Sequence, residues 1–192
     1  MRGRQYRTWI TLAAVIASLP ARGRAEDVPV PVNLQADLLF MIAGHDHNLP
    51  ARGGGEVRTL VLTKASDDST RAAAQFKAAA AAKAVVAGLP HSVEVARFTG
   101  GPALAEACKA KRLAIIYLTP GFSAADATAI GQALAGGNVL TVAASPAMVK
   151  QGVVLGFDLV AGRAKLLVDL TQAAKQHVAF GPDVLGLMAV SQ

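Results

Sequence analysis

The strongest constraint on the fold is an alternation of short apolar runs with longer helix-forming segments across the middle of the chain. Residues 113–118 form a run of six residues without a charge, which is typical of a strand buried on both faces of a parallel sheet. Three further runs have the length and composition of strands, at residues 57–63, 92–98 and 139–143. Because parallel strands need crossover connections between them, this order predicts an α/β fold with a mainly parallel sheet.

Helices are predicted before and between these strands. Apolar spacing and end signals such as Ser and Gly place them at residues 34–43, 66–86, 102–110 and 123–134, with a brief helix opening at Ser145-Pro146. The polar stretch at residues 44–56 contains Gly53-Gly54-Gly55 and is predicted to form a loop.

The C-terminal part of the chain has a different pattern. Strands at residues 153–160 and 164–168 flank Ala161-Gly162-Arg163, which is predicted to be a tight hairpin turn. A helix is predicted from Asp169 to about His177, and a last short helix near Pro182. We therefore expect a three-layer α/β sandwich whose mainly parallel sheet carries an antiparallel C-terminal hairpin at its edge.

The first 25 residues have the layout of a secretory signal peptide. Arginines at positions 2, 4 and 7 precede an uncharged stretch at residues 8–19, and Gly23-Arg24-Ala25 places small residues at the positions that a signal peptidase reads. The alternative, an uncleaved membrane anchor, needs roughly 20 apolar residues, which is longer than this stretch. We expect cleavage near Ala25, a periplasmic location, and a single domain at residues 26–192.

The net charge of the chain does not indicate a nucleic-acid partner. The full sequence carries +6, but five of its arginines lie in the first 25 residues, which hold no acidic residue, so that +1 remains on the rest. The remaining basic residues are scattered, apart from Lys109, Lys111 and Arg112. Nucleic-acid binding normally needs a basic stripe, often with aromatic residues for stacking, and this sequence has neither.

Polar and small residues follow the predicted strands and precede the predicted helices. Since the carboxyl ends of parallel strands meet at one edge of a sheet, these junctions predict a crevice for an anion or a polar head group beside helix N-termini. The other interpretation is that the hydroxyl groups only cap helices. The candidate ligand-binding residues are Ser66, Asp67, Thr99, Gly100, Thr119 and Ser145.

A metal site and a cofactor site are not indicated by the sequence. His45-Asp46-His47 offers suitable ligand types, but a complete site needs another donor, and His91 and His177 lie at no metal-binding spacing. The better interpretation is that these residues are solvated in a loop.

Nucleophile patterns are equally incomplete. Ser123 lies between a predicted strand and a predicted helix, but its surroundings lack the second glycine of a nucleophile elbow, so it is predicted to cap the helix with Asp126. Cys108 is the only cysteine and has no histidine near it in sequence, which favours a buried small hydrophobic side chain. The sequence therefore predicts a binding or regulatory protein rather than an enzyme.

The C-terminal third resembles the closing signature of the YfiR family of small periplasmic regulators. Residues 151–170 have the glycine-rich turn, the aromatic residue and the hairpin of that signature, followed by Asp169-Leu170, then Ala173-Ala174 and a late helix at residues 184–188. Residues 46–52 look like the Asp-Arg-Asn-Leu…Arg segment of one branch of the family, and residues 139–142 resemble the family's strand before its last short helix.

This resemblance implies an α/β sandwich, a homodimer and no enzymatic activity. It also implies that the protein binds the periplasmic sensor domain of an inner-membrane diguanylate cyclase, holds the cyclase inactive and so affects cyclic-di-GMP signalling. A single cysteine excludes the intrachain disulfides of some relatives. The partner-binding candidates are His45, His47, Arg52 and Arg163. The alternative from another functional class is a one-lobed periplasmic protein that binds a small solute in the strand-end crevice.

Overall fold

The computed structural model describes residues 29–191, so the predicted signal peptide and its cleavage site lie outside the described residues. Strands within this range form one eight-stranded sheet. The strands are β1 (Val57–Thr63), β2 (Val85–Val86), β3 (Leu89–Arg97), β4 (Ile115–Leu118), β5 (Leu140–Ala143), β6 (Leu155–Val160), β7 (Arg163–Val168) and β8 (Met188–Val190).

The sheet has the order β2-β3-β1-β4-β5-β6-β7-β8. Its centre, from β3 through β1, β4 and β5 to β6, is parallel. The hairpin of β6 and β7 is antiparallel, β8 runs parallel to β7, and β2 pairs antiparallel with β3 at the other edge. The predicted α/β fold with a mainly parallel sheet and an antiparallel C-terminal hairpin is confirmed.

Helices cover both faces of the sheet, which makes the structure three layers thick. The helices are α1 (Val32–Ala43), α2 (Leu49–Gly53), α3 (Asp67–Ala81), α4 (Gly101–Lys111), α5 (Ala124–Ala133), a 3-10 helix (Pro146–Gln151), α6 (Leu170–Lys175) and α7 (Pro182–Leu185). Buried side chains of α1, α3, α6 and α7 join one hydrophobic core, and those of α4 and α5 join the core on the opposite face.

The uncharged run that predicted a doubly buried strand contains β4. Ile115 and Tyr117 belong to the core under α1 and α3, whereas Ile116 and Leu118 belong to the core under α4 and α5. Successive side chains of a strand point to opposite faces, so a strand between two helical layers can carry no solvated position.

Aromatic side chains and one buried hydrogen bond fix α1 and α3 to the sheet. The ring of Tyr117 stacks on Phe76 of α3 with 4.1 Å between ring centroids, and Phe76 meets Phe40 of α1 edge-on at 5.8 Å. The Tyr117 hydroxyl donates to Oε1 of Gln35 at 2.7 Å, and burial raises the pKa of this tyrosine. A buried phenol normally needs such an acceptor, so this contact ties α1 to β4.

The prediction that α3 continues to residue 86 is wrong. The helix ends at Ala81, and Val85 and Val86 form β2, which turns back through Ala87 and Gly88 at positive φ to pair with β3. Alanine favours a helix, but ending α3 early buries the Val86 side chain in the core. Tertiary burial therefore overrides the local helix propensity.

Two other segments also differ from the predictions. The predicted loop at residues 44–56 contains the short helix α2, which ends at Gly53 and is capped by Gly54 in the left-handed conformation. The last short helix begins at Pro182 as predicted, but its predicted extension to residue 188 is wrong, because α7 ends at Leu185 and Met188 opens β8. β8 pairs with Leu166–Val168 on the outer side of β7, and a local sequence pattern does not reveal this pairing.

A close approach of α5 to the 3-10 segment gives the first testable prediction. A Cβ added at Gly131 would lie 2.5 Å from the carbonyl oxygen of Gly152, which is backbone and cannot move aside. We expect Gly131→Ala to lower the free energy of unfolding by about 1–3 kcal/mol, because overpacking forces the backbone apart. Urea denaturation measures the change.

Gly186→Ala is the matched control. Gly186 has helical φ and ψ angles, and a Cβ there would have only ordinary contacts at 3.6 Å and beyond. We expect no loss of stability from this substitution. Equal effects of the two substitutions would contradict the packing argument.

Candidate functional site

The predicted ligand-binding residues lie at the carboxyl edge of the sheet, where the neighbouring strands β3, β1, β4 and β5 end. At the centre of this edge, Oγ1 of Thr119 donates to the carbonyl oxygen of Leu62 at 2.9 Å and lies 2.6 Å from Oγ of Ser69. Thr119 and Ser69 are both buried. The Thr119 hydroxyl therefore links β4 to β1 and α3 and has no surface open to a ligand.

The remaining polar groups at this centre also bind one another. Ser66 caps α3 by accepting a hydrogen bond from the backbone N–H of Ser69, and Asp67 is exposed in the first helical turn. Ser123 and Asp126 form the predicted capping box of α5, and Nζ of Lys64 lies 3.1 Å from the Asp126 carboxylate. The sequence correctly located these caps, which fill the crevice with the chain's own side chains.

The electrostatics of this cluster agree with that description. Burial acts to raise the pKa of Asp126, but hydrogen bonds from Ser123 and the charge of Lys64 hold the pKa below its usual value. The Lys64 ammonium group also lies 5.5 Å from the ring centroids of Phe98 and Phe122. Lys64 is thus occupied by a carboxylate and two aromatic rings rather than presented to a ligand.

The other predicted residues of this edge lie apart from the centre. Thr99 and Gly100 line a separate cleft of about 170 Å³ between β3 and α4. Ser145 precedes the 3-10 helix and makes no side-chain capping hydrogen bond. The structure therefore brings Ser66 and Thr119 together around Ser69, and it does not bring Thr99, Gly100 or Ser145 to them.

A larger cavity opens beside this edge, and none of the predicted ligand-binding residues lines it. It has a volume of about 620 Å³ and lies between the start of α1, the middle of α3 and the residues that follow β4 and β5. Most of its lining is apolar, and its lining residues are Pro29, Val30, Pro31, Val32, Asn33, Gln35, Gln75, Ala78, Ala79, Pro120 and Ala144. The available sequence signal was the pair of alternate prolines before α1, Pro29 and Pro31, a spacing that favours extended chain.

At the opposite end of the sheet, a buried ion pair fixes the segment that joins α1 to β1. Nη1 of Arg52 lies 2.7 Å from Oδ2 of Asp46, and the two side chains are 1% and 0% exposed. Nε of Arg52 donates to Oδ1 of Asn138 at 2.8 Å, and Nη2 donates to the carbonyl oxygen of His177 at 3.2 Å. Burial lowers the pKa of Arg52, and the Asp46 carboxylate acts against that change.

The Asp46 carboxylate also holds the backbone of two segments. Its Oδ1 atom accepts hydrogen bonds from the N–H groups of Asn48 at 3.1 Å and Ala179 at 3.0 Å. Asp46 was predicted to be solvated in a loop, which is wrong because its side chain is fully buried against Arg52. Arg52 was named only as a candidate for partner binding, and the ion pair itself was not predicted. Opposite charges six residues apart around the apolar Leu49 were the available signal.

The ion pair determines how the candidate partner-binding histidines are presented. His45 and His47 flank the buried Asp46 and are both exposed. The N–H of His47 donates to the carbonyl oxygen of Ala179 at 2.9 Å, and the N–H of Gly181 donates to that of His45 at 3.4 Å. The two imidazoles are therefore carried on a fixed backbone, whereas the guanidinium of Arg52 is enclosed.

Arg163 lies at the other end of the sheet from the histidines. The hairpin turn consists of Ala161 and Gly162, both at positive φ, so Arg163 already belongs to β7 and pairs with Val160. β6 pairs with β5 only as far as Gly156, so the tip of the hairpin projects beyond the carboxyl edge. The structure does not bring Arg163 together with His45 and His47.

In the part of the chain that is described, the Cys108 thiol is partly buried and the metal-ligating side chains are not clustered. Burial raises the pKa of Cys108 to about 11, so its thiol stays protonated at neutral pH. Within residues 29–191, no three His, Cys, Asp or Glu side chains are grouped so that they could hold a metal ion.

Comparison with known proteins identifies a family. The sequence profile described as YfiR/HmsC-like matches residues 33–188, which is most of the chain. A search of curated proteins gives no significant match. Of the helices at residues 29–191, none has both the length and the apolar character that a membrane span requires.

Several solved structures share the fold at low sequence identity. One is an ABC domain in complex with L-Trp from Streptococcus pneumonia, with a TM-score of 0.57, 13% identity and 83% of this chain covered. Another is the ligand-free, open form of a substrate-binding protein with adhesive properties from Clostridium difficile, with a TM-score of 0.61, 10% identity and 85% coverage. A third is a conserved domain protein from Vibrio cholerae, with a TM-score of 0.54, 15% identity and 86% coverage. The chain spans only 60–61% of the length of these three proteins.

The buried ion pair gives the second testable prediction. We expect Asp46→Ala to lower the free energy of unfolding by about 3–5 kcal/mol, because it leaves the enclosed Arg52 charge without a partner. The double variant with Arg52→Ala should lose less than the sum of the two single losses. Chemical denaturation of the four proteins measures this coupling.

Asp68→Ala is the matched control for this cycle. Asp68 forms an ion pair with Arg71 on the exposed surface of α3, with both side chains mostly in solvent. We expect a change of about 0–1 kcal/mol from its removal, because solvent screens exposed pairs. Additive losses at Asp46 and Arg52 would show that their ion pair is not the fixing interaction.

Proposed function

The chain belongs to the YfiR/HmsC-like family, and from this premise we propose that it is a periplasmic regulatory protein that acts by binding other proteins. We propose that its partner is the sensor domain of an inner-membrane signalling enzyme, a diguanylate cyclase, and that binding represses cyclic-di-GMP production. We also propose that it works as a homodimer. The observation that carries this proposal is the family match along residues 33–188.

The secretory layout of residues 1–25 supports the proposed location, since the family is periplasmic. A protein delivered there after cleavage of its signal peptide can meet the outer portion of an inner-membrane receptor. The filled strand-end centre described above fits the same proposal, because a protein that acts by contact needs surface rather than a reactive cleft.

The segment around the ion pair provides one contact surface with a fixed shape. Asp46 and Arg52 order the backbone before any partner arrives, so His45 and His47 lose little conformational freedom on binding. Lower entropy loss means that more of the contact energy appears as affinity.

The edge of the sheet at β6–β8 provides the second contact surface. Several of the large apolar side chains that are exposed lie here, including Val160, Leu187 at 71% exposure and Val190. Exposed apolar groups close to a charged rim mark many protein-binding surfaces, and Arg163 supplies a charge at the hairpin tip. We name Val160, Arg163, Leu187 and Val190 the hairpin surface, and we propose that it contacts the signalling partner.

The third testable prediction concerns the hairpin surface. We expect Arg163→Glu to reduce recovery of the cyclase from detergent-solubilised membranes at least tenfold, and to raise cellular cyclic-di-GMP. A partner surface that is complementary to the positive charge of Arg163 is repelled by a negative charge at the same position. Quantitative affinity capture and nucleotide extraction measure the two effects.

Arg71→Glu is the control, because Arg71 is also an exposed arginine but lies on α3, away from the hairpin surface. We expect it to leave both measurements unchanged. Full recovery with Arg163→Glu would contradict the assignment of the hairpin surface. Recovery of no membrane signalling enzyme by the unaltered protein would contradict the proposed function itself.

A second candidate function is the binding of a small solute, and the 620 Å³ cavity is the observation that favours it. Drug-sized ligands occupy pockets of about 300–1,000 Å³ with mostly apolar walls and few polar groups. The lining contains no charged side chain, and Gln75 and Asn33 offer amide groups. The solute that fits is uncharged and largely apolar, with a hydrogen-bonding group.

The fourth testable prediction separates this function from the regulatory one. If a solute binds there, a library of uncharged small molecules should contain compounds that raise the Tm, and Ala78→Trp should abolish the rise by filling the cavity. Ala74→Trp is the control, since Ala74 is exposed on the same helix but does not line the cavity. A Tm rise that survives Ala78→Trp would place the solute elsewhere.

A further inference from the structure

The edge of the sheet at β3 is only partly covered. β2 pairs with Leu89 and Pro90, and the carbonyl oxygen of Ala84 accepts a hydrogen bond from the N–H of His91. Beyond that point, no strand of residues 29–191 lies on the outer side of β3. The chain then leaves the sheet at Gly100, which has a φ of +134° and immediately precedes α4. The open stretch therefore runs over residues 92–98, and its middle residue is Val95.

The hydrogen-bonding phase of β3 decides which groups point outward. The N–H of Phe98 donates to the carbonyl oxygen of Thr63 in β1, so residues of even number along this stretch direct their backbone groups at β1. Residues of odd number direct theirs away from it, as the bond from His91 to Ala84 shows. Val93, Val95 and Arg97 consequently present three N–H and three C=O groups to the outside.

This edge has few of the features that prevent pairing between sheets. Natural edge strands are commonly protected by proline, lysine, a bulge or a covering element. Residues 92–98 contain no proline, lysine or glycine, and the pairing of β1 with β3 is regular through Arg97. The charged residues of this stretch are Glu94, which forms an ion pair with Lys111, and Arg97. Val95 is 43% exposed, and residues 94–97 are all exposed.

The helix on one side of the edge leaves room for another strand. The side chains of α4 that face β3 include Ala103 and Ala107, which line the 170 Å³ cleft together with Ala96. Arg97 also borders this cleft, and Glu94, which lies on the same face of β3 as Ala96, is paired with Lys111 of α4. An incoming strand would meet small side chains and an already neutralised carboxylate on this side.

We propose that a second copy of this chain pairs with β3 in antiparallel fashion, about a two-fold axis that passes beside Val95. In this arrangement Val95 lies opposite Val95 of the second copy, and Val93 lies opposite Arg97 of the second copy. The interface deepens the proposed homodimer by naming its surface. It does not depend on the identity of the signalling partner.

The register follows from the positions of the outward groups. A two-fold axis perpendicular to the sheet keeps the same face of both copies on the same side, so only residues of equal parity oppose each other. With Val95 on the axis, all three outward residues of each strand oppose outward residues, which satisfies six hydrogen bonds.

The neighbouring registers are worse for identifiable reasons. A register centred on Glu94 places that carboxylate directly opposite its own copy, which is destabilising. It also places the outward backbone groups of Arg97 opposite His91 of the second copy, and the N–H of His91 already donates to the carbonyl oxygen of Ala84. A register centred on Ala96 places Val93 opposite Thr99 of the second copy, and Thr99 lies beyond the end of β3.

A second copy is favoured over other strands because two identical open stretches have the same length and can pair along their whole length about a common centre. β2 limits it at one end, and the turn at Gly100 limits it at the other, so each copy offers seven residues with Val95 at the centre. The pairing also removes the exposed Val95 side chains from water against each other. Aliphatic pairs across antiparallel strands are stabilising.

The first experiment places a charge on the proposed axis. We expect Val95→Lys to halve the mass measured by light scattering at a concentration where the unaltered mature chain is dimeric, because two ammonium groups would oppose each other. Val190→Lys is the control, since Val190 is a valine of similar exposure, 49%, on the strand at the other edge of the sheet. It should remain dimeric.

The second experiment tests the register in a Cys108→Ser background. Directly opposed Cα atoms lie about 5.5 Å apart, which a disulfide can span. Val95→Cys should therefore form a cross-linked dimer under mild oxidation. Val93→Cys and Arg97→Cys should each fail alone, because four residues of strand separate identical positions by about 13 Å. A mixture of these two variants should cross-link.

Several outcomes would overturn the proposal. A monomeric unaltered chain, or a dimer that survives Val95→Lys, would exclude this edge as the interface. Dissociation by Val190→Lys alone would assign the interface to β8. Cross-linking of Ala96→Cys in place of Val95→Cys would reject the register.

Discussion

The burial of the central parallel strands on both faces is the constraint on which the rest of the structure depends. Each residue of β4 and β5 lies in one of two cores or is hydrogen-bonded beneath a helix, so neither strand offers a solvated side. Polar and charged side chains that could serve a function therefore lie at the ends of the strands and at the edges of the sheet. Every feature discussed for function lies at one of those places.

The two ends of the sheet are used differently. At the carboxyl end, Ser69, Thr119, Lys64 and Asp126 satisfy one another, so the expected crevice is occupied by capping and bridging contacts. At the amino end, burial of the Asp46–Arg52 pair costs desolvation energy, but the pair holds the segment around it in a defined shape. A protein that works by contact benefits from the second arrangement, since a preordered surface binds with less entropy loss.

The two edges of the sheet also have different properties. At one edge, the projecting hairpin of β6 and β7 and the short β8 carry several exposed apolar side chains. At the other edge, β3 presents unpaired backbone groups over a stretch that is symmetric about Val95. If both proposals hold, the second copy and the signalling partner bind at opposite edges and do not compete. Dimerisation and recognition would then be separable by mutation.

The sequence by itself determined the elements whose pattern is local. The bounds of β1 were predicted in full, the capping box of Ser123 and Asp126 was read directly, and β4 was recognised by its lack of charge. The C-terminal end of α3 and the existence of β2 and β8 were missed, because the end of α3 and β2 depend on the burial of Val86, and β8 depends on pairing with a strand about twenty residues earlier. The candidate ligand-binding residues show the same contrast between local and tertiary information. Ser66 and Thr119 were predicted at the correct edge of the sheet, but their hydrogen bonds to Ser69 were not predicted.

Only the tertiary structure decided which charged and polar groups are available to a partner. Arg52 is enclosed and His45 and His47 are exposed because of contacts with residues 138 and 177–181, which no spacing along the chain encodes. Likewise, the open edge of β3 exists because β2 stops at its first residues. Local sequence sets propensity and periodicity, but the exposure of a group depends on what the remote chain places over it.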